Sequence, residues 1–214
     1  MNINVLEKLG TELQSVQNPA TYLGGEFGQI TKKAPFTFGM AFPDLYEIGM
    51  SNQAIKIIYN GLNKIDNIAC ERIFAVADDF ENLLKKHKLP LYTLETGIPL
   101  HELDMIGFSI GYEMGITTAL GMLELGKVPL FSKDRTENDP IVIAGGCGVT
   151  NPAPLGAFFD AFFIGEAENE MFDLLAKIAE MKKNGAKRAE LLQTFIDHPS
   201  VWVKGKKSRT CNKN

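Results

Sequence analysis

The chain carries ligand-binding residue types at four points. AFPDLYEIGM contains Asp44, Tyr46 and Gly49, SIGYEM opens on Ser109, GGCGVTNP opens on Gly145 and Gly146, and GEAEN contains Glu166. A carboxylate such as Asp44 either accepts a hydrogen bond from a ligand or caps a local turn, and Gly49 lets the backbone turn or approach a ligand closely. Tyr46 sets an aromatic ring between them. Ser109 follows an apolar run, so its hydroxyl donates either to a ligand or to a neighbouring carbonyl. Gly145, Gly146 and Gly148 leave bare backbone on which a flat ligand or a phosphate can lie. Glu166, with Glu168, opens a predicted helix, where a carboxylate meets a ligand or compensates the helix dipole. Cys147 has no histidine near it in sequence and reads as a small buried filler, not a nucleophile.

Several chemistries are excluded. His87, His101 and His198 fall in no motif, and the chain contains no HExxH, P-loop or GxSxG pattern. Gly-Gly follows a late strand and is not GxGxxG, so the dinucleotide fingerprint fails. A receiver domain needs an acidic pair after its first strand and a lone Asp after its third; here Asp78-Asp79 follows the second. Cys70, Cys147 and Cys211 lie far apart, without the spacing of a zinc or redox site, and read as free thiols in a reducing cytoplasm.

The chain has 214 residues, 45% of them hydrophobic, which suits one globular domain with a substantial core. No apolar stretch is long enough for a membrane helix, and the N-terminus has no secretory pattern. The expected location is therefore the cytoplasm. Charge is uneven: residues 1–181 carry 13 Lys and Arg against 24 Asp and Glu, and residues 182–214 carry nine against two. So acidic a body does not bind nucleic acid on charge grounds. The basic tail reads as a solvated helix end and terminus, with RNA or an acidic partner as the alternative.

Apolar runs of strand length at 35–43, 69–77, 90–96, 103–111, 140–146 and 160–165 alternate with helical patterns at 51–65, 78–88, 114–126 and 166–185. Residues 2–17 predict an amphipathic helix with Val5, Leu6, Leu9, Leu13 and Val16 on one side. Residues 21–33 predict an extended hairpin or edge, 187–196 a further helix, and 201–205 a stray strand with nothing to pair with. The alternation predicts a doubly wound α/β fold with a mostly parallel, flavodoxin- or Rossmann-like sheet. The expected organisation is a prelude over 1–34, the α/β domain over 35–185, and a C-terminal helix and basic tail over 186–214. Ligands of such sheets bind beyond the strand C-termini, in the loops at 43–50, 76–79, 109–114, 145–152 and 165–169.

Three of these features fall in the order of a known layout. Cobalamin-binding domains carry D-x-H-x-x-G, then S-x-L, then G-G. Asp44 to Gly49 fits the first element except that Tyr46 replaces the histidine; Ser109-Ile110-Gly111 fits the second except at Gly111; Gly145-Gly146 fits the third. With YLGGEFGQITK, ACERIFA, LETGIPLHELDMIGFSIGYEM and NPAPLGAFFDAFFIGEAE, residues 21–180 resemble the N-terminal cobalamin-binding-like domain of a group of radical S-adenosylmethionine (SAM) proteins. The resemblance implies cobalamin as cofactor, held without a histidine ligand to cobalt, since a protonated tyrosine coordinates poorly. It also implies that Asp44, Tyr46 and Gly49 line the corrin side, and that Ser109, Gly145 and Gly146 line the slot for the nucleotide tail. The partner it implies is a radical SAM catalytic domain, in cis or in trans. The C-x-x-x-C-x-x-C motif for a four-iron cluster is missing from the sequence. The expectation is thus a fragment of a longer protein, or a short gene without the barrel, that does no radical chemistry alone. The alternatives are an interaction domain whose groove is empty or filled by Tyr46, and a flavin or nucleotide binder on the same sheet edge.

Overall fold

The computed structural model describes residues 2–168 and 170–205; Cys211 and most of the basic tail lie outside them. The strands are β1 (Phe36–Leu45), β2 (Ile68–Ala75), β3 (Met105–Ser109), β4 (Ile141–Gly145), β5 (Ala161–Phe163) and β6 (Val201–Trp202). They form one sheet in the order β2-β1-β3-β4-β5-β6. The first five are parallel and β6 is antiparallel to β5. The parallel part has the flavodoxin-like order, whose direction reverses between β1 and β3. The helices are α1 (Val5–Leu9), α2 (Tyr46–Ser51), α3 (Gln53–Asn63), α4 (Asp78–Lys86), α5 (Gly115–Leu125), α6 (Glu170–Lys183) and α7 (Arg188–Ile196). Side chains of α3, α6 and α7 share one core with Phe36, Phe38 and Met40 of β1. Ala119, Met122 and Leu123 of α5 pack on the opposite face with Ala41 and Ile106.

Several elements differ from the sequence expectation. Residues 90–96 form no strand; a single bridge joins Tyr92 to Pro99, and the segment is spent on tertiary bonds. Leu94 N–H donates to the Arg72 carbonyl and Thr93 N–H to that of Ile98. The expected loop at 43–50 is largely regular: β1 runs past Pro43 with a shift in register to Leu45, and α2 begins at Tyr46. Asn52 then separates α2 from α3, its side chain accepting from Ile55 N–H as the N-cap. The last long helix begins at Glu170, so Glu166 and Glu168 stand in the loop before it. The stray strand is paired, Val201 opposite Phe163 and Trp202 opposite Phe162. The first helix stops at Leu9 and continues as a 3-10 turn over Gly10–Ser15, which leaves Leu6 exposed while Val5, Leu9, Leu13 and Val16 pack against α4. No strand forms over residues 21–33; a 3-10 turn spans Pro19–Tyr22.

The outer edge of β2 is closed by side chains, which blocks pairing with another chain. Asn63 accepts from Cys70 N–H (3.1 Å) and donates to its carbonyl (2.9 Å), mimicking a neighbouring strand. Glu95 accepts from Arg72 N–H (2.6 Å) and from its guanidinium. Arg72 also pairs with Glu26 (3.1 Å), which holds the glycine loop after Tyr22 onto the domain, and its guanidinium lies over the Tyr59 ring. Burial pushes the Glu95 carboxyl up to about 7, against the opposing pull of Arg72. At the other end of the sheet, Asp160 accepts from Arg135 (3.1 Å), Arg188 (2.9 Å) and Val142 N–H (2.7 Å), tying α7 to β4 and β5.

Candidate functional site

A cavity of about 280 Å³ opens at the C-terminal edge of the sheet, over β1, β3, β4 and β5 and under α3 and the start of α6. Its walls are apolar: Phe38 and Met40 from β1, Ile57 and Ile58 from α3, Phe163 from β5 and Met171 from α6. Glycines 107, 145, 146 and 165 expose main chain to it. Two of these glycines are required by close approaches. A Cβ on Gly107 would lie 2.4 Å from the Phe38 ring, so the bare position lets that ring lie across β3 and form a wall. Gly146 has φ +100, and a Cβ there would lie 2.5 Å from the Ile110 carbonyl oxygen. That approach draws the turn after β4 against the turn after β3, where Gly148 N–H donates to the same carbonyl.

The cavity gathers four of the seven residues singled out in the sequence: Ser109, Gly145, Gly146 and Glu166, with Glu168 beside them. Ser109 and Gly145 sit opposite each other in register at the ends of β3 and β4. The other three lie outside the cavity lining. Asp44 accepts from Leu45 N–H (2.8 Å) and from the Tyr112 hydroxyl (3.1 Å), linking the ends of β1 and β3; this bond raises the Tyr112 pKa. Tyr46 turns toward β2, its ring edge-on to Phe74 with centroids 5.7 Å apart. Burial and the neighbouring Glu26 push its phenol up, so it stays protonated. Gly49 packs inside α2, where a Cβ would fall 2.2 Å from the Phe74 ring.

Cys147, expected to be buried, is exposed: the turn after Gly146 carries it outward, and its thiol donates to the Gly111 carbonyl (2.9 Å). Among the lining residues, Glu166 and Glu168 are the only ionisable ones, and both are exposed. Among the described residues no group of His, Cys, Asp or Glu has the geometry to hold a metal ion. No helix among them is long and apolar enough to cross a membrane. The walls that the sequence reading missed are Phe38, Gly107, Ile57, Ile58, Phe163 and Met171. The available signal was Gly107 itself, a glycine inside an apolar strand, which marks a close approach.

The site can therefore hold a flat, largely apolar group, with backbone and one hydroxyl for orientation and the two carboxylates at its rim. Residues 54–203, well over half of the chain, match the family model described as "Radical SAM proteins, N-terminal", and the chain belongs to that family. No curated protein and no solved structure matches the chain.

Proposed function

Starting from that membership, we propose that the chain is the cofactor-holding N-terminal module of a radical SAM protein, and that its cavity takes the base of a cobalamin nucleotide tail. The observation that carries this reading is the meeting of Ser109, Gly145 and Gly146 at one glycine-floored apolar cavity beyond the strand ends. The residues present fit that group. Apolar walls and bare backbone suit a flat neutral ring, and the volume suits a base with part of its sugar rather than a macrocycle. A corrin would lie across the mouth, on the side of Asp44 and Tyr112. When bound, cobalamin supplies methyl-transfer chemistry or assists a radical step carried out in a separate catalytic domain.

The chain's own residues bind, orient and exclude water. Phe38, Ile58 and Met171 keep the inserted ring dry, and the Ser109 hydroxyl donates to it. Tyr46, turned to Phe74 and protonated, would not serve as a ligand to cobalt. A second reading, docking without a cofactor, is favoured by exposed Leu45, Ile48, Tyr112 and Met114 on the same edge of the sheet.

Titration of the chain with hydroxocobalamin and methylcobalamin, followed by visible absorbance and calorimetry, separates the two. Micromolar binding, weakened by Gly145→Leu, with a spectrum lacking a nitrogen lower ligand, supports the cofactor module. No binding up to about 1 mM, an affinity of only ~4 kcal/mol, refutes it and leaves docking.

A further inference from the structure

No other large apolar side chain among the described residues is as exposed as that of Phe27. Its ring stands at the tip of a turn that is otherwise tied down. Gln29 N–H donates to the Glu26 carbonyl (3.0 Å), which closes four residues around Phe27 and Gly28, and Gly28 takes the φ of +81 that a type II turn requires at its third residue. The base is held from several sides: Glu26 pairs with Arg72 (3.1 Å), Gly25 N–H donates to the Gln29 side chain (2.6 Å), and Ile30 N–H donates to the Tyr59 hydroxyl (2.7 Å). A groove of about 250 Å³ lies beside that base, between the N-terminal segment and residues 92–97, with Leu6, Tyr22, Leu23 and Tyr92 in its walls. Turn and groove are joined through Leu94 and Glu95, which line the groove: a Cβ on Gly24 would lie 2.4 Å from the Leu94 carbonyl oxygen, and the Gln29 amide donates to the Glu95 carbonyl (3.3 Å). Glu95 is the only carboxylate in the lining, and its side chain is buried on Arg72, so no charge faces a ring that enters.

We propose that this patch is self-complementary and joins two copies of the chain, the Phe27 ring of each protomer seated in the groove of its partner. A two-fold interface needs a knob and the hole that receives it on one surface patch, and here the turn is rooted on the groove wall. Each ring would bury about 150–250 Å², and the wall that receives it a similar area. Two such contacts, with exposed Leu6 and Leu23 at the rims, come to about 1,000 Å², the low end for a specific interface and the size of a weak, reversible dimer. One ring set into an unrelated protein buries half of that, too little for a specific contact by itself. The turn is fixed before docking, so association adds little ordering cost. The groove shares no residue with the sheet-edge cavity, and the dimer is independent of what that cavity binds.

Sedimentation equilibrium of the whole chain tests this, with a reductant present so that exposed Cys147 forms no cross-link. The expected result is a reversible monomer–dimer equilibrium with a dissociation constant on the order of 0.1 mM. Phe27→Ser changes an exposed turn position, so the thermal melt stays unchanged. It weakens the dimer about 100-fold or more, because both rings are lost. Leu6→Glu sets a carboxylate at the rim of each groove and weakens the dimer about tenfold or more. A mixture of the two variants separates lost contact from lost folding. The Phe27→Ser chain keeps its groove and the Leu6→Glu chain keeps its ring, so the mixture regains one of the two contacts and associates about tenfold more tightly than Phe27→Ser alone. A parent chain that stays monomeric up to about 1 mM overturns the proposal and leaves Phe27 to a partner of another kind. A dimer that Phe27→Ser leaves within about threefold of the parent, or a mixture no tighter than Phe27→Ser alone, overturns it as well.

Discussion

Replacing Gly107 with alanine tests whether the cavity is built by the packing of one ring over one glycine. The added Cβ would lie 2.4 Å from Phe38 Cζ, inside any allowed contact, and a tight 3.2 Å from Cε1. Gly107 is held between Met40 and Ile143 in mid-sheet, so the backbone has little room to retreat. The Phe38 ring must move instead, and the space beside it is the cavity. Overpacking of this kind costs about 1–3 kcal/mol. For a chain of this size that lowers the melting temperature by roughly 2–4 °C per kcal/mol. The same movement shrinks the cavity, so ligand affinity falls with stability. Shortening the ring relieves the clash, so in a double-mutant cycle with Phe38→Leu the combined loss should be smaller than the sum of the two single losses by about 1 kcal/mol. Urea denaturation of the four proteins measures both terms. A Gly107→Ala protein within about 0.5 kcal/mol of the parent, or strictly additive losses, would show that Phe38 has other room and that Gly107 does not shape the cavity.

Three further outcomes follow from the buried polar groups and the glycine of α2. Asp160→Ala leaves the Arg135 guanidinium, whose side chain is 0% exposed, without its carboxylate, and the loss of stability on urea denaturation should reach about 3–5 kcal/mol. Gly49→Ala pushes a methyl group into the Phe74 ring and should cost about 1–3 kcal/mol, read in the same way. The Glu95 carboxyl is raised to about 7 in the folded protein, above its unfolded value, so the folded state binds the extra proton between the two. Its contribution to stability is complete below about pH 4.5 and is lost as pH rises through about 7. Glu95→Gln should flatten that decline in a pH series of melts, and an unchanged slope would assign it to other groups.

The parallel sheet was readable because its strands are short apolar runs bounded by turn residues and separated by helical periods. The failures have local causes. LYTLET has strand composition, but it crosses the edge of β2, where Thr93 and Thr96 donate to Glu71 and Leu94 to Arg72. Those bonds span more than 20 residues of sequence, and no window of residues carries them. The two-residue β6 looked unpartnered because its partner, β5, precedes it with two helices between, and antiparallel pairing at a sheet edge leaves no periodicity to detect. The site divided along the same line. Ser109, Gly145, Gly146 and Glu166 were singled out by position and line the cavity, since each ends or follows a strand whose C-terminus defines the cavity edge. Phe38 and Gly107 were missed because their contact lies between neighbouring strands and depends on which face each residue takes.

The position of the cavity also explains why the first-strand motif stands apart from it. In this sheet order the chain leaves β1 toward β2 on one side and meets β3 on the other. Asp44 stays at the β1–β3 boundary and reaches Tyr112, whereas α2 carries Tyr46 and Gly49 over Phe74 of β2. A group seated in the cavity therefore meets the backbone of β3, β4 and β5 and the side chains of α3 and α6, while Tyr46 lies against β2 beside the Arg72–Glu26–Glu95 cluster. Tyr46→His is the discriminating substitution. If the direction of this side chain is fixed by its packing on Phe74, an imidazole there will point toward Glu26 and Arg72, and hydroxocobalamin added to the variant will keep the spectrum it has with the parent chain. A new nitrogen-ligated cobalt spectrum in Tyr46→His would show that α2 can swing over the mouth, and that the separation of motif and cavity is not built into the fold.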